Sequence, residues 1–170
     1  MYKVIIGIDN GVSGTIGIIG EQYTDFMETP VFSEQNYTKQ KDNITRIDTN
    51  RLREIFIRAM EENKSLPEEV LVVMERPMVN PTRFKATTSA LRSLEAELVT
   101  IEAVGFAHIY CDSKEWQKKE LPQGISSSEE LKRASKDIGC RLYPQFKTLI
   151  QKHKDADGML IAHHFYKEYK

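Results

Sequence analysis

Four carboxylates in this chain stand where burial would be costly. The apolar run Val4-Ile5-Ile6-Gly7-Ile8 stops on Asp9 and the turn residues Asn10-Gly11, and Val70-Leu71-Val72-Val73-Met74 stops on Glu75. Asp155 and Asp157 open the apolar stretch Gly158-Met159-Leu160-Ile161-Ala162. Continuous Val/Ile runs mark strands covered on both faces, so an acid at the last inward position needs a cationic partner. The pattern points to a metal or phosphate site at the edge of a sheet. Each acid alone has a plainer reading: Asp9 as a turn former, Glu75 paired with the adjacent Arg76, Asp155 as a helix cap. Their joint occurrence favours a site.

The elements that must position these acids follow an α/β order. Strands are expected over 3–9, 14–20 and 23–32, the first two joined by the turn Asn10-Gly11-Val12-Ser13, whose Gly and Asn tolerate left-handed backbone. Residues 33–48 read as a polar loop. Asp48 or Thr49 caps a helix running to about Asn63, with Leu52, Ile55, Phe56 and Ala59 on one face. A strand over 70–75 follows, then a helix from Thr87 or Ser89 to about Val104 that carries Leu91, Leu94, Leu98 and Ile101 at helical spacing. A fifth strand covers 106–111. Short helices are expected over 113–120, 128–138 and 144–152, and a last one over 156–168.

At 170 residues and 40% hydrophobic content the chain is expected to form one domain, 1–170, without staples. It shows no leader and no apolar run near twenty residues, which predicts a cytoplasmic protein with no membrane partner. Cys111 and Cys140 lack metal spacing and read as core fillers. The net charge of −1 hides an asymmetry: residues 1–113 hold 12 Lys/Arg against 17 Asp/Glu, whereas 114–154 hold 10 against 5. That basic block, which includes Lys118, Lys119, Lys132 and Arg133, suits a phosphate-contacting flank or, more plainly, a solvated helix face. His108 reads as a core residue, His163 and His164 as surface or packing groups, and the Leu stripe of 91–101 as core or a dimer seam.

Three strands, helix, strand, helix, strand and a final acidic helix is the order of the ribonuclease H-like fold, an α/β architecture with a mixed five-stranded sheet flanked by helices. The residues themselves resemble a family. Gly7-Ile8-Asp9-Asn10-Gly11 followed by Thr15-Ile16-Gly17, the strand-ending Glu75, and Ala156-Asp157-Gly158-Met159-Leu160-Ile161-Ala162 look like the three acidic motifs of RuvC-type Holliday junction resolvases. The segment Trp116-Gln117-Lys118-Lys119-Glu120-Leu121-Pro122, continuing through Leu131-Lys132-Arg133-Ala134-Ser135 to Leu142-Tyr143-Pro144, is similar to the RuvC-like proteins of bacterial viruses.

The resemblance implies an endonuclease that nicks branched DNA, a four-way junction above all. It implies two Mg²⁺ ions roughly 4 Å apart, with Mn²⁺ as a substitute. Asp9 would bridge the ions, Glu75 would hold one and Asp157 the other. In the family a second acid stands one helical turn before the last Asp, but here Lys154 and His153 occupy those places. Asp155 is taken as the fourth ligand, His153 competes with it, and an Asp155 that only caps the helix is the remaining reading. The resemblance also assigns the segment after Glu75 to DNA. There Phe84, between Arg83 and Lys85, fits an aromatic inserted at the junction centre, with burial in the core as its plainer reading and Met78 as a lesser candidate. It further implies a homodimer, one site per symmetric strand. Two other classes stay in view: a phosphate-binding fragment of an actin-like ATPase or kinase, disfavoured because that fold needs two such domains, and a DNA-structure binder without catalysis.

Overall fold

The computed structural model describes residues 1–36, 39 and 41–169. Its strands are β1 (Val4–Ile8), β2 (Thr15–Gly20), β3 (Thr24–Glu28), β4 (Val31–Gln35), β5 (Asn43–Ile47), β6 (Val70–Glu75) and β7 (Ala107–Cys111). Its helices are α1 (Thr49–Glu62), α2 (Phe84–Val104), α3 (Ser113–Glu120), α4 (Ser128–Leu142), α5 (Lys147–Lys152) and α6 (Asp157–Tyr169). Five strands form one sheet in the order β3-β2-β1-β6-β7, with β1–β2 and β2–β3 antiparallel and β1–β6 and β6–β7 parallel.

Alternation along the central strands sends side chains to two cores. Val4, Ile6 and Ile8 of β1, with Val70, Val72 and Met74 of β6, pack under Leu52 and Phe56 of α1 and Ile101 of α2. Ile5, Leu71 and Val73 face the other way, toward Trp116 of α3, Ile138 of α4 and Met159 and Ala162 of α6. Both layers are needed to bury strands that are apolar at every position. Helix α6 lies directly on the backbone of β1 and β2: a Cβ at Gly7 would sit 2.3 Å from the Gly158 carbonyl oxygen, and one at Gly17 would sit 2.3 Å from Met159 Cα. These glycines bring the start of α6 down onto the end of β1.

Several expectations fail locally. The third strand does not run over 23–32, because Pro30 carries no amide for the ladder, and the chain leaves the sheet after Glu28. The 33–48 segment, read as a loop, instead contributes most of the β4–β5 hairpin, pairing Val31 with Ile47 and Glu34 with Ile44. Residues 37, 38 and 40 lie outside the described ones. This ribbon is mostly exposed, so no period-2 apolar signal announces it. Its support comes from Arg46, whose Nη1 donates to Glu34 Oε1 at 2.7 Å while the guanidinium lies 5.6 Å from the Phe32 ring centre. Helix α2 starts at Phe84, earlier than expected, and ends on Gly105 in left-handed conformation. His108 is half-buried rather than core, because β7 is an edge strand. No described helix is long and apolar enough to cross a membrane.

Candidate metal centre

The parity that sorts the core also gathers the acids. Ile5 and Gly7 on β1 point toward α6, so Asp9 does as well. Leu71 and Val73 on β6 share that face, so Glu75 follows them. The parallel register pairs Ile8 with Met74, which sets Asp9 beside Glu75 at the carboxyl end of neighbouring strands. Helix α6 begins there with Asp157, and Gly158 N donates to Thr15 Oγ1 at 3.0 Å, pinning that first turn to β2.

Oxygens of Asp9, Asp155 and Asp157 lie within 4.8 Å of one another. Asp155 does two things at once. Its Oδ1 accepts from Asp157 N at 3.3 Å, capping the helix, while its Oδ2 is buried with no hydrogen-bond partner. An orphaned buried carboxylate oxygen among three acids fits a hard cation, which prefers oxygen ligands. His153, the competitor for this place, accepts from Asp155 N at 3.4 Å through Nδ1 and stands 3.8 Å from Asp155 Oδ1, behind the trio rather than in it. The helix begins at Asp157, one residue later than expected.

Glu75 stands outside the trio and is held by neutral donors. Ser113 Oγ donates to Oε1 at 2.5 Å, and Trp116 Nε1 donates to Oε2 at 3.0 Å. The adjacent Arg76 does not pair with it; that guanidinium lies 3.8 Å from Asp112 and over the Tyr110 ring. Ser135 Oγ donates in the same way to Asp157 Oδ1 at 2.5 Å while accepting from Ala156 N at 3.0 Å. Each of these acids thus has one orientation fixed and lone pairs to spare.

Burial and mutual repulsion make the group reluctant to ionise without a cation. Asp9 is pushed well above the ordinary carboxylate range by burial first, then by Asp157 and Asp155, with Lys154 opposing. Asp157 is pushed up to about 7 by burial and Asp155, with the Ser135 hydrogen bond opposing. Sequence reasoning missed a fifth acid. Glu97 of α2 is fully buried, its oxygens have no hydrogen-bond partner of good geometry, and burial and the Asp9 charge push it well up while the Gly11 backbone offsets this in part. The signal was present: Glu97 is three residues after Leu94 and four before Ile101, an acid on an apolar face.

The residues expected at DNA are distributed unevenly. Arg83 lines a cleft of about 280 Å³ together with Asp9, Asn10, Glu75 and Met78. Phe84 is 77% exposed at the start of α2, which removes the reading of it as a core residue; Lys85 is exposed beside it. Lys132 is exposed on α4, three residues from Ser135 and therefore one turn from the acids, whereas Arg133 projects from another face. Lys118 lines a shallow cleft with Lys114, and Lys119 donates to Glu168 at 2.7 Å. Glu168 is eleven residues along α6 from Asp157, about 16 Å at the helical rise. Lys119 is thus held away from the acids. His164 is buried against Glu120 Oε1 at 3.0 Å, and His163 Nδ1 and the Tyr143 hydroxyl are 2.7 Å apart, so both histidines pack within that distant network.

No protein-family model matches the chain, and no curated protein matches it. Solved structures do. RuvC of Thermus thermophilus in complex with a Holliday junction substrate is similar at a TM-score of 0.57 and 16% identity, over 98% of this chain and 96% of that one. A second Thermus thermophilus RuvC structure gives a TM-score of 0.49 and 17% identity over 97% and 95%. At these identities the likeness establishes the fold, the α/β ribonuclease H-like architecture with a mixed five-stranded sheet flanked by helices that the element order predicts. The likeness to bacterial-virus proteins rests on the sequence segments alone.

Proposed function

We propose that this chain is a divalent-metal-dependent endonuclease of RuvC type that nicks branched DNA and resolves four-way junctions. The observation that carries this reading is the convergence of Asp9, Asp155 and Asp157 within 4.8 Å, beside Glu75, at the carboxyl edge of a sheet with this topology. Asp9, Asp155 and Asp157 would hold Mg²⁺, or Mn²⁺ in its place, and Glu75 would complete the set for a second ion. Bound metal supplies Lewis acidity and an activated water for phosphodiester hydrolysis.

What the chain's own groups contribute follows from their positions. Ser113 and Trp116 fix the Glu75 carboxylate and Ser135 fixes Asp157, so ligand geometry is set before metal arrives. Arg83, which lines the cleft with Asp9 and Glu75, and the exposed Lys85 would contact backbone phosphate, with Lys132, Lys118, Lys119 and Arg133 extending the basic surface. Phe84, next in the chain to the cleft-lining Arg83, offers an exposed ring suited to stacking where a junction's bases are already strained. A homodimer would present two such sites to two symmetric strands. The segments 116–122 and 131–144 support an origin in a bacterial virus, acting in the host cytoplasm.

Labelled four-way junction and linear duplex of matched sequence, incubated with the protein in Mg²⁺ or EDTA, test this. Paired nicks near the branch only with metal are expected. A second reading, a junction binder without catalysis, is favoured by the lysine among the acids. Metal-independent binding with no nicking in Mg²⁺ or Mn²⁺ would select it.

A further inference from the structure

Lys154 is the one basic side chain that the described ion pairs bring to Asp9. Its Nζ lies 3.8 Å from Asp9 Oδ2 and 3.7 Å from Asp155 Oδ2, beyond hydrogen-bond length but close enough for strong charge pairing. The Asp155 side chain is 1% exposed, and the oxygen that faces Lys154 is the one with no hydrogen-bond partner. The Lys154 side chain is 38% exposed. It therefore reaches into the cluster from solvent and has room to withdraw, as a flexible four-carbon stem permits.

We propose that Lys154 is a built-in counter-ion that holds Asp9 and Asp155 together in the metal-free protein and competes with a divalent cation for them. Buried acids that share one small space cannot stay ionised without positive charge. The Lys154 ammonium is the positive charge that faces Asp9 and Asp155 when no metal is present. A divalent ion entering among the same oxygens brings twice the charge and repels the ammonium, which leaves toward solvent. Metal binding is thereby weakened by the work of displacing Lys154, and the site discriminates against cations too weak to perform that displacement. This inference rests on the metal site of the reading above, not on nuclease activity.

Binding of Mn²⁺, measured without DNA by the electron paramagnetic resonance signal of the free ion, tests it in wild type, Lys154→Met and Lys154→Arg. Lys154→Met is expected to bind Mn²⁺ roughly tenfold tighter, within the ordinary range of coupling between two sites, and Lys154→Arg to stay close to wild type. Equal or weaker binding by folded Lys154→Met overturns the proposal. Should that variant fail to fold, wild type still decides. Reductive methylation followed by peptide mass spectrometry is expected to label Lys154 several-fold faster in Mg²⁺ than in EDTA, with Lys85 as the exposed reference; an unchanged or slower rate overturns the proposal. Absence of Mn²⁺ binding to wild type at millimolar concentration removes this inference and the metal site together. A tenfold gain without any nicking of junction DNA leaves this inference standing and removes the nuclease reading.

Discussion

Trp116 Nε1 donates to Oε2 of Glu75 across 3.0 Å, joining residues 41 positions apart and fixing the acid that lies outside the Asp9, Asp155 and Asp157 group. The indole is fully buried, so its N–H has no water to turn to. Trp116→Phe keeps a ring in the core and deletes only that donor. Partners of this kind change metal affinity or activity by about 10- to 100-fold when lost. The expected result is a rise in the Mg²⁺ concentration for half-maximal cleavage, with the melting temperature falling only slightly. An unchanged Mg²⁺ requirement would mean that Ser113 alone sets the orientation of Glu75.

Asp9→Asn tests the centre of the cluster. The amide keeps the shape of the side chain but gives up the charge a cation would seek. Cleavage of a four-way junction is expected to fall at least about a thousandfold, the equivalent of about 4 kcal/mol in the barrier. Junction binding in gel-shift assays is expected to stay within about twofold, because the phosphate contacts proposed for Arg83 and Lys85 are untouched. Persistent cutting by a clean preparation would remove Asp9 from the reaction.

The acids were legible in sequence because each interrupts an apolar run, and burial makes such interruptions expensive. The same logic made β1, β2 and β6 legible. It failed for β4 and β5, whose ribbon is mostly exposed and therefore carries no sustained apolar alternation. It failed also for the groups that hold the acids: Ser113, Trp116 and Ser135 are ordinary helix residues until tertiary packing sets them against Glu75 and Asp157. Glu97 is readable as an acid on the apolar face of α2, but the Leu stripe around it reads as packing alone. Lys154 stands in the sequence where the resemblance calls for an acid, and only the fold shows its ammonium near both Asp9 and Asp155.

Stability without metal should depend on pH in a direction the cluster fixes. Asp9 and Glu97 hold protons well above the ordinary carboxylate range and Asp157 up to about 7, whereas in the unfolded chain such groups release them near 4. Between those values the folded protein binds more protons than the unfolded one, so stability that is fully present below about pH 4 is lost as pH rises toward and through the folded values. In EDTA, the contribution of Asp157 should therefore decline from about pH 4 to 7. Comparing wild type with Asp157→Asn isolates it from the other titrating groups: the melting temperature of the variant should fall less over pH 5 to 8. Added Mg²⁺ should flatten the wild-type slope, since a bound cation keeps the carboxylates ionised. Equal slopes in wild type and variant would refute the assignment.

Glu97→Gln addresses a fully buried acid on which the Asp9 charge acts and which no described ion pair relieves. The amide is the same size and stays neutral, so the cost of ionising a carboxylate under α2 disappears. In EDTA at pH 8 the variant is expected to melt a few degrees above wild type; for a chain of this length about 1 kcal/mol corresponds to roughly 2–4 °C. The two proteins should converge at about pH 4 and below, where Glu97 is protonated in the folded state and in about half or more of the unfolded one. A difference that does not change with pH would point to packing rather than charge.

Gly7→Ala tests whether the contact between β1 and α6 sets the acid spacing. The new methyl would meet the Gly158 carbonyl oxygen at 2.3 Å and Ala162 N at 2.4 Å. Both are helix backbone atoms, which no rotamer change can move aside, so α6 itself must lift from the strand. Overpacking of this kind costs about 1–3 kcal/mol. The position matters more than the cost. Gly7 is two residues before Asp9 on the same face of β1, and Gly158 directly follows Asp157, so lifting α6 widens the gap that a cation must bridge. Mn²⁺ affinity at 10 °C, where the variant remains folded by circular dichroism, is expected to fall about tenfold or more. A comparable core lesion away from this contact, Phe56→Leu under the opposite face of the sheet, should lower the melting temperature and leave Mn²⁺ affinity unchanged. Equal losses of affinity in both variants would mean that general loosening, not the glycine contact, governs the site.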